Sequence, residues 1–337
     1  MTRHTEILKP NEISEATKVS MKTRIISAII GVIVVAPLIV LGDWFALALS
    51  VAVLVIALIE IINTAKKGYS ALLYLITIVV GLIMAYWPFI ISFITKCHEG
   101  GWTFHLYDYF KGMSISTPAL IVGVSLLFLT VVLHDDFTVR DACFLIAMVL
   151  VISLGIQSII YIRCLPSSLR ETHKDFFNMY DNFWSSSLFI YVLIAAFATD
   201  IGAYFTGIFF GKKKINERIS PKKTYGGFIG GLVISFLVSG TFAIVMSLVG
   251  QPILEGYLDL AHWWNILVLS AFMPIMATLG DFVFSAIKRY YEIKDFGKLI
   301  PGHGGILDRL DSIFFTFFAA AGYLVIYVSI IEGVTIL

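Results

Sequence analysis

Between Ser285 and Asp311 the chain reads SAIKRYYEIKDFGKLIPGHGGILDRLD, its longest charge-dense run between two strongly apolar segments. Ser285, Lys288 and Arg289 make a polar stripe at the end of one apolar segment, and Lys294 and Asp295 follow as a basic–acidic pair. Pro301-Gly302-His303-Gly304-Gly305 is a glycine-rich turn, after which Asp308 and Asp311 flank Arg309. Carboxylates at i and i+3 share one face of a helix. Acids on one face, with cations and flexible backbone close by, suit a divalent cation that holds phosphate groups. With no His/Cys cluster in the chain, hard oxygen ligands point to Mg²⁺ or Mn²⁺ rather than zinc. His303, alone between glycines, is better placed to shape the turn or touch phosphate than to ligate metal.

Two further acids stand inside apolar segments. Asp200 lies in FATDIGAYFTGIFFGKKK, where an ionised aspartate at bilayer depth costs ~2.5–3.5 kcal/mol and must face a polar cavity or partner. Asp200, Tyr204, Gly207 and Gly211 fall on one helical stripe. A hydrogen-bonded acid in the bundle core would explain Asp200 alone. Asp281, however, heads a second stripe with Ser285 and Lys288, and two acids in separate helices are better explained by a shared site. With Asp308 and Asp311 they bring four carboxylates to one region. The basic stretch between them holds Lys212, Lys213, Lys214, Arg218, Lys222 and Lys223. Such a loop can simply set topology or attract anionic lipid. Ser220-Pro221-Lys222-Lys223-Thr224, followed by Gly226, Gly227, Gly230 and Gly231, also suits phosphate binding by ammonium groups and helix-start N–H donors.

The elements that must position these residues are membrane helices. Of 337 residues, 58% are hydrophobic and 14% charged, and the mean hydropathy is +0.90. Repeated apolar runs of about 20 residues predict an all-α polytopic integral membrane protein; alternating β-barrel segments are absent. About nine spans are expected, near 25–41, 44–62, 71–95, 116–134, 142–162, 184–210, 227–250, 262–284 and 312–331. With the N-terminus cytosolic and the C-terminus on the opposite side, 19 of the 24 lysines and arginines fall inside. Loops 211–226 and 285–311 then face the cytosol. The expected organisation is a polar tail (1–22), a scaffold of about five spans (23–183) and a catalytic membrane domain (184–337). Glu60, near the end of the second span, is expected to snorkel toward the interface beside Lys66 and Lys67. Loop 96–115, with Trp102, Phe104, Tyr107, Tyr109 and Phe110, resembles an interfacial aromatic belt. Cys97, Cys143 and Cys164 are too scattered for a disulfide framework or metal cluster. A net charge of +1 gives no case for a nucleic-acid partner.

The 285–311 pattern resembles the signature of the phosphatidate cytidylyltransferase (CDP-diacylglycerol synthase) family. Asp200, Tyr204, Gly207, Gly211-Lys212, Ser220-Pro221-Lys222-Lys223-Thr224 and Gly280-Asp281 are similar to its upstream pieces, so the resemblance covers about residues 195–315. Tyr225-Gly226-Gly227 stands where the family usually has Trp-Glu-Gly, and Ile208 where a basic residue often follows the glycine. The resemblance implies that CTP and phosphatidate give CDP-diacylglycerol and pyrophosphate with Mg²⁺, at the cytosolic face of, most simply, a bacterial inner membrane. It implies Asp281, Asp308 and Asp311 as metal ligands, with Asp200 as a further acid or the site of a second, monovalent cation. Lys288, Arg289 and Arg309 would act on the phosphates. Lys212, Ser220, Lys222, Lys223, Thr224, Ser285 and Lys294 would bind substrate, and Gly302, His303, Gly304 and Gly305 would shape the turn beneath the nucleotide. Membrane phospholipid is the expected surrounding partner, and a homodimer is left open. The rivals are a CTP-dependent lipid-alcohol kinase and an ion-coupled transporter using Asp200 and Asp281.

Overall fold

The computed structural model describes residues 43–99, 113–169 and 186–332, with six isolated positions between 26 and 36. The expected tail, most of the first span and the aromatic belt lie outside the described residues. Six helices are long and apolar enough to cross a membrane, or seven if a bent pair counts as one span. They are α1 (Asp43–Asn63), α5 (Val139–Leu169), α6 (Ser187–Phe210), α7 (Tyr225–Leu248), α8 (Trp263–Tyr290) and α9 (Leu307–Glu332).

The expected span 71–95 is not one straight helix. It is α2 (Ala71–Ala85) and α3 (Trp87–Glu99), bent by 66° at Tyr86. Pro88 explains the break, since it has no N–H for the Met84 carbonyl and its ring crowds that oxygen. Tyr86 anchors the bend by a buried 2.7 Å hydrogen bond between its hydroxyl and Ser50 of α1. The expected span 116–134 is α4 (Thr117–Leu133), which at 17 residues is short for a full crossing. Ser116 caps it by accepting from Ala119 N at 3.1 Å.

Two apolar clusters hold the bundle, one built on α1–α5 and the other among α5–α9. Helices α5, α8 and α9 belong to both: Phe284 of α8 and Phe314 of α9 are buried in the first, Met273 of α8 and Phe317, Ala320 and Leu324 of α9 in the second. Helices α6 and α7 pack closely because small residues meet there. A side chain at Gly231 would stand 2.9 Å from the Thr199 carbonyl, and Ser235 Oγ donates to the Ala195 carbonyl at 2.8 Å.

Within this helical fold, a two-stranded antiparallel hairpin that the sequence patterning did not suggest joins α6 to α7. Its strands are β1 (Lys214–Asn216) and β2 (Ser220–Thr224), with Lys214 opposite Thr224 and Asn216 opposite Ser220. Asn216 Oδ1 accepts from Arg218 N at 3.1 Å and Ile219 N at 3.3 Å, which closes the turn. Arg289 Nε donates to the Ile219 carbonyl at 3.2 Å, so the hairpin docks on the end of α8.

The four described loops that the charge count puts on one side do share one end of the bundle. Lys67 pairs with Asp141 at 2.7 Å, Lys66 Nζ reaches the Glu292 carbonyl at 3.4 Å, and Arg140 donates to the Tyr290 hydroxyl at 3.0 Å.

Candidate active site

Four helix ends and the hairpin build the polar end of the bundle. Asp200 comes from α6, Asp281, Ser285, Lys288 and Arg289 from the last turns of α8, and Asp308, Arg309 and Asp311 from the first turns of α9. The charged run of the sequence is therefore two helix ends and a 291–306 connection.

A cavity of about 430 Å³ opens between α6, β2, α7 and α8, lined by Asp200, Tyr204, Lys222, Lys223, Thr224 and Asp281 among others. Lys223 forms an ion pair with Asp281 and stands 4.3 Å above the Phe282 ring. Ser285 Oγ donates to Asp281 Oδ1 at 3.3 Å. Thr224 caps α7, its Oγ1 accepting from Gly227 N at 3.1 Å. The stripe read from the sequence holds for Asp200, Tyr204 and Gly207, which all line the cavity, whereas Gly211 is the C-cap of α6.

Beside the cavity lies a second cluster. Lys288 Nζ is 2.8 Å from Asp308 Oδ1 and 3.9 Å from Asp311 Oδ2. The other oxygen of Asp308 accepts from Phe296 N at 2.8 Å and Gly305 N at 3.0 Å. Asp308 is thus wholly occupied with Lys288 and the connection, at only 2% side-chain exposure. Asp311 and Asp200 are joined through Ser312, whose N donates to Asp311 Oδ1 at 2.8 Å and whose Oγ donates to Asp200 Oδ2 at 3.1 Å. Asp200, Asp281 and Asp311 act on one another electrostatically, with Lys223 and Arg309 counterbalancing Asp200 and Lys288 counterbalancing Asp311.

The connection between α8 and α9 is fixed mostly by backbone. Ile300 N donates to the Gly304 carbonyl at 2.9 Å, and His303 N and Gly304 N return to the Ile300 carbonyl at 2.9 and 3.1 Å. Gly302 and Gly304 hold φ of +77° and +93°, a region that side chains disfavour. His303 lies in this turn with its Nδ1 2.8 Å from Ser27 Oγ, which also donates to the Pro301 carbonyl at 3.0 Å. Lys212, Lys294 and Arg309 are exposed, while Ser220 is half-buried. Burial, and then the Asp141 carboxylate, pushes the nearby Tyr291 hydroxyl up to about 12, so it stays protonated at neutral pH.

The expectation for Glu60 is overturned. It does not snorkel beside Lys66 and Lys67, which bind Glu292 and Asp141 instead. Its carboxylate is buried and accepts from Ile306 N and Leu307 N, each at 2.9 Å. Ser312 was likewise missed. The rule that singled out Asp200 and Asp281, an acid within an apolar span, applies equally to Glu60.

Among the described residues, no three His, Cys, Asp or Glu side chains stand together as a ready cation cage. Mg²⁺ commonly takes one or two carboxylates and completes its shell with water and substrate phosphate. Asp281 and Asp311, from adjacent helices and all-oxygen in character, fit that mode, with Asp200 close by.

The model of the cytidylyltransferase family matches residues 22–327. The chain is similar to the phosphatidate cytidylyltransferase of Bacillus subtilis (strain 168), at 32% identity over 88% of this chain and 95% of the relative. It is also similar to the phosphatidate cytidylyltransferases of Staphylococcus saprophyticus, at 29% identity over 88% and 95%, and of Thermotoga maritima, at 33% over 68% and 76%. A match running from before α1 into α9, through the cavity and both lysine–carboxylate clusters, leaves one conclusion: the chain belongs to the cytidylyltransferase family.

Proposed function

We propose that this integral membrane protein is a phosphatidate cytidylyltransferase. A phosphate oxygen of phosphatidate attacks the α-phosphorus of CTP, the α–β phosphoanhydride bond breaks, and pyrophosphate leaves with the electron pair. The nucleophile is already anionic near neutral pH, so no strong general base is required. The difficulty is the approach of two polyanions. The observation that carries the reading is the pairing of Lys223 with Asp281 and of Lys288 with Asp308 and Asp311, side by side at one end of a lipid-facing bundle.

Lys222 and Lys223 on the hairpin and Lys288 and Arg289 on α8 draw the phosphates together, with Lys223 and Lys288 held in place beforehand by their carboxylates and rings. Arg309 and the N–H donors at the start of α7 extend this positive lining. Asp281 and Asp311, with Asp200 and Asp308 supporting them, would hold Mg²⁺, which supplies neutralisation of the phosphate charge. The lipid enters sideways from the bilayer and CTP from water. The gathering of basic loops at this end supports a cytosolic site, in a bacterial inner membrane.

The test is transfer of label in detergent micelles containing phosphatidate together with a long-chain lipid alcohol, the acceptor a kinase would need. Label from [α-³²P]CTP should enter the lipid phase while label from [γ-³²P]CTP stays in water. Lipid labelled only from the γ position would mean a kinase, and no lipid label from either would refute both enzyme readings.

A further inference from the structure

Residues 297 and 305 are glycine for a reason that backbone conformation does not supply. Neither has positive φ, unlike Gly302 and Gly304 in the same connection. What excludes a side chain is Glu60. A Cβ at Gly305 would stand 2.5 Å from both Glu60 carboxylate oxygens, and one at Gly297 would also strike that carboxylate. The space belongs to a residue on α1, 246 positions from the backbone it binds.

The position before α9 is Ile306, which has no side-chain acceptor for the helix's free N–H groups. Glu60 Oε1 takes Ile306 N and Oε2 takes Leu307 N, in the turn that bears Asp308 and Asp311. Asp308 takes Gly305 N and Phe296 N on the other flank. Two buried carboxylates from opposite ends of the chain therefore clasp one short backbone segment.

We infer that Glu60 is a positioning residue for cytidylyl transfer: from α1 it caps α9 in trans and sets where Asp308, Asp311 and, through Asp308, Lys288 stand. Gly297 and Gly305 are the space left for it. This rests on the transferase reading above.

The experiment uses full-length protein in detergent, comparing wild type, E60A, E60Q, G305A and E60A/G305A by α-label transfer and amide hydrogen exchange. E60A should lower kcat by about tenfold or more while the KM for phosphatidate moves less than about threefold. Exchange should rise about tenfold or more at residues 305–308 and stay unchanged in α6 and α7. E60Q, which keeps one acceptor oxygen, should fall between, and it carries the same test if E60A is not recovered folded. G305A should impair wild type severely yet cost less than about threefold more once residue 60 is alanine, because the clash is gone. The inference is overturned if G305A costs the same factor in both backgrounds, or if E60A and E60Q match wild type in kcat and exchange. An inactive wild type would instead sink the transferase reading, with exchange at 305–308 still reporting on Glu60.

Discussion

Asp308 and Asp281 are both expected to be essential, but the structure separates the ways in which they should fail. Asp308 is 2% exposed and its partner Lys288 12% exposed, so Asp308→Asn breaks a buried pair. Removing one partner of such a pair costs ~3–5 kcal/mol. The asparagine oxygen can still accept from Phe296 N or Gly305 N, so the lower end, ~3 kcal/mol, applies. At ~2–4 °C per kcal/mol, the apparent melting midpoint should fall by ~6–12 °C. Lys288 would then be left with Asp311 alone, at 3.9 Å, and displaced from its place beside the reacting phosphates. Loss of one preorganised charge of this kind lowers kcat ~100- to 1,000-fold. Asp281 is 28% and Lys223 24% exposed; breaking that more solvated pair costs about 1 kcal/mol. Asp281→Asn should lose comparable turnover with a midpoint within ~4 °C of wild type. The assays are α-label transfer and tryptophan-fluorescence melting in one detergent. A D308N midpoint matching wild type would refute the clasp, and normal turnover in either variant would refute its place in the machinery.

Three other outcomes follow from the geometry. Thr224→Ala removes the α7 cap and should cost ~1 kcal/mol, seen as faster amide exchange at Gly227, whereas Thr224→Ser keeps the oxygen and should be neutral. Chelation of divalent cations should abolish transfer and added Mg²⁺ restore it; undiminished transfer in excess EDTA would remove the cation from the reaction. In the loop between α7 and α8, burial pushes the Asp259 carboxyl up, but hydrogen bonds from the His262 ring and backbone and from Gly256 N outweigh it and hold it below the ordinary range. A depressed folded pKa stabilises above the unfolded value, about 3.9, and that stability is lost as pH falls through the folded one. Exchange at Gly256 and His262 should therefore accelerate below about pH 4 in wild type and be insensitive in Asp259→Asn.

Legible in the residue order is whatever depends on neighbours in the chain or on the solvent around a segment. Apolar runs marked the helices, because a bilayer admits backbone only when its hydrogen bonds close within the segment. Asp200 and Asp281 stood out because a charge at that depth needs a partner, and the i, i+4, i+7 spacing set Asp281, Ser285 and Lys288 on one stripe. Pro88 carried the bend at Tyr86 in plain view, masked by the hydropathy of the residues around it. Helix packing sets which partner each charge takes: Lys223 for Asp281, Lys288 for Asp308, Ser312 between Asp200 and Asp311. Nor does local pattern distinguish Asp308 turned inward to clasp backbone from Asp281 turned to the cavity. Glu60 is the clearest case. The sequence reading sends it to the interface beside Lys66 and Lys67, but its partners are main-chain N–H groups brought near by the packing of α1, α5 and α9. Backbone donors are the same at every residue, so nothing in the side-chain sequence could say which ones it would find.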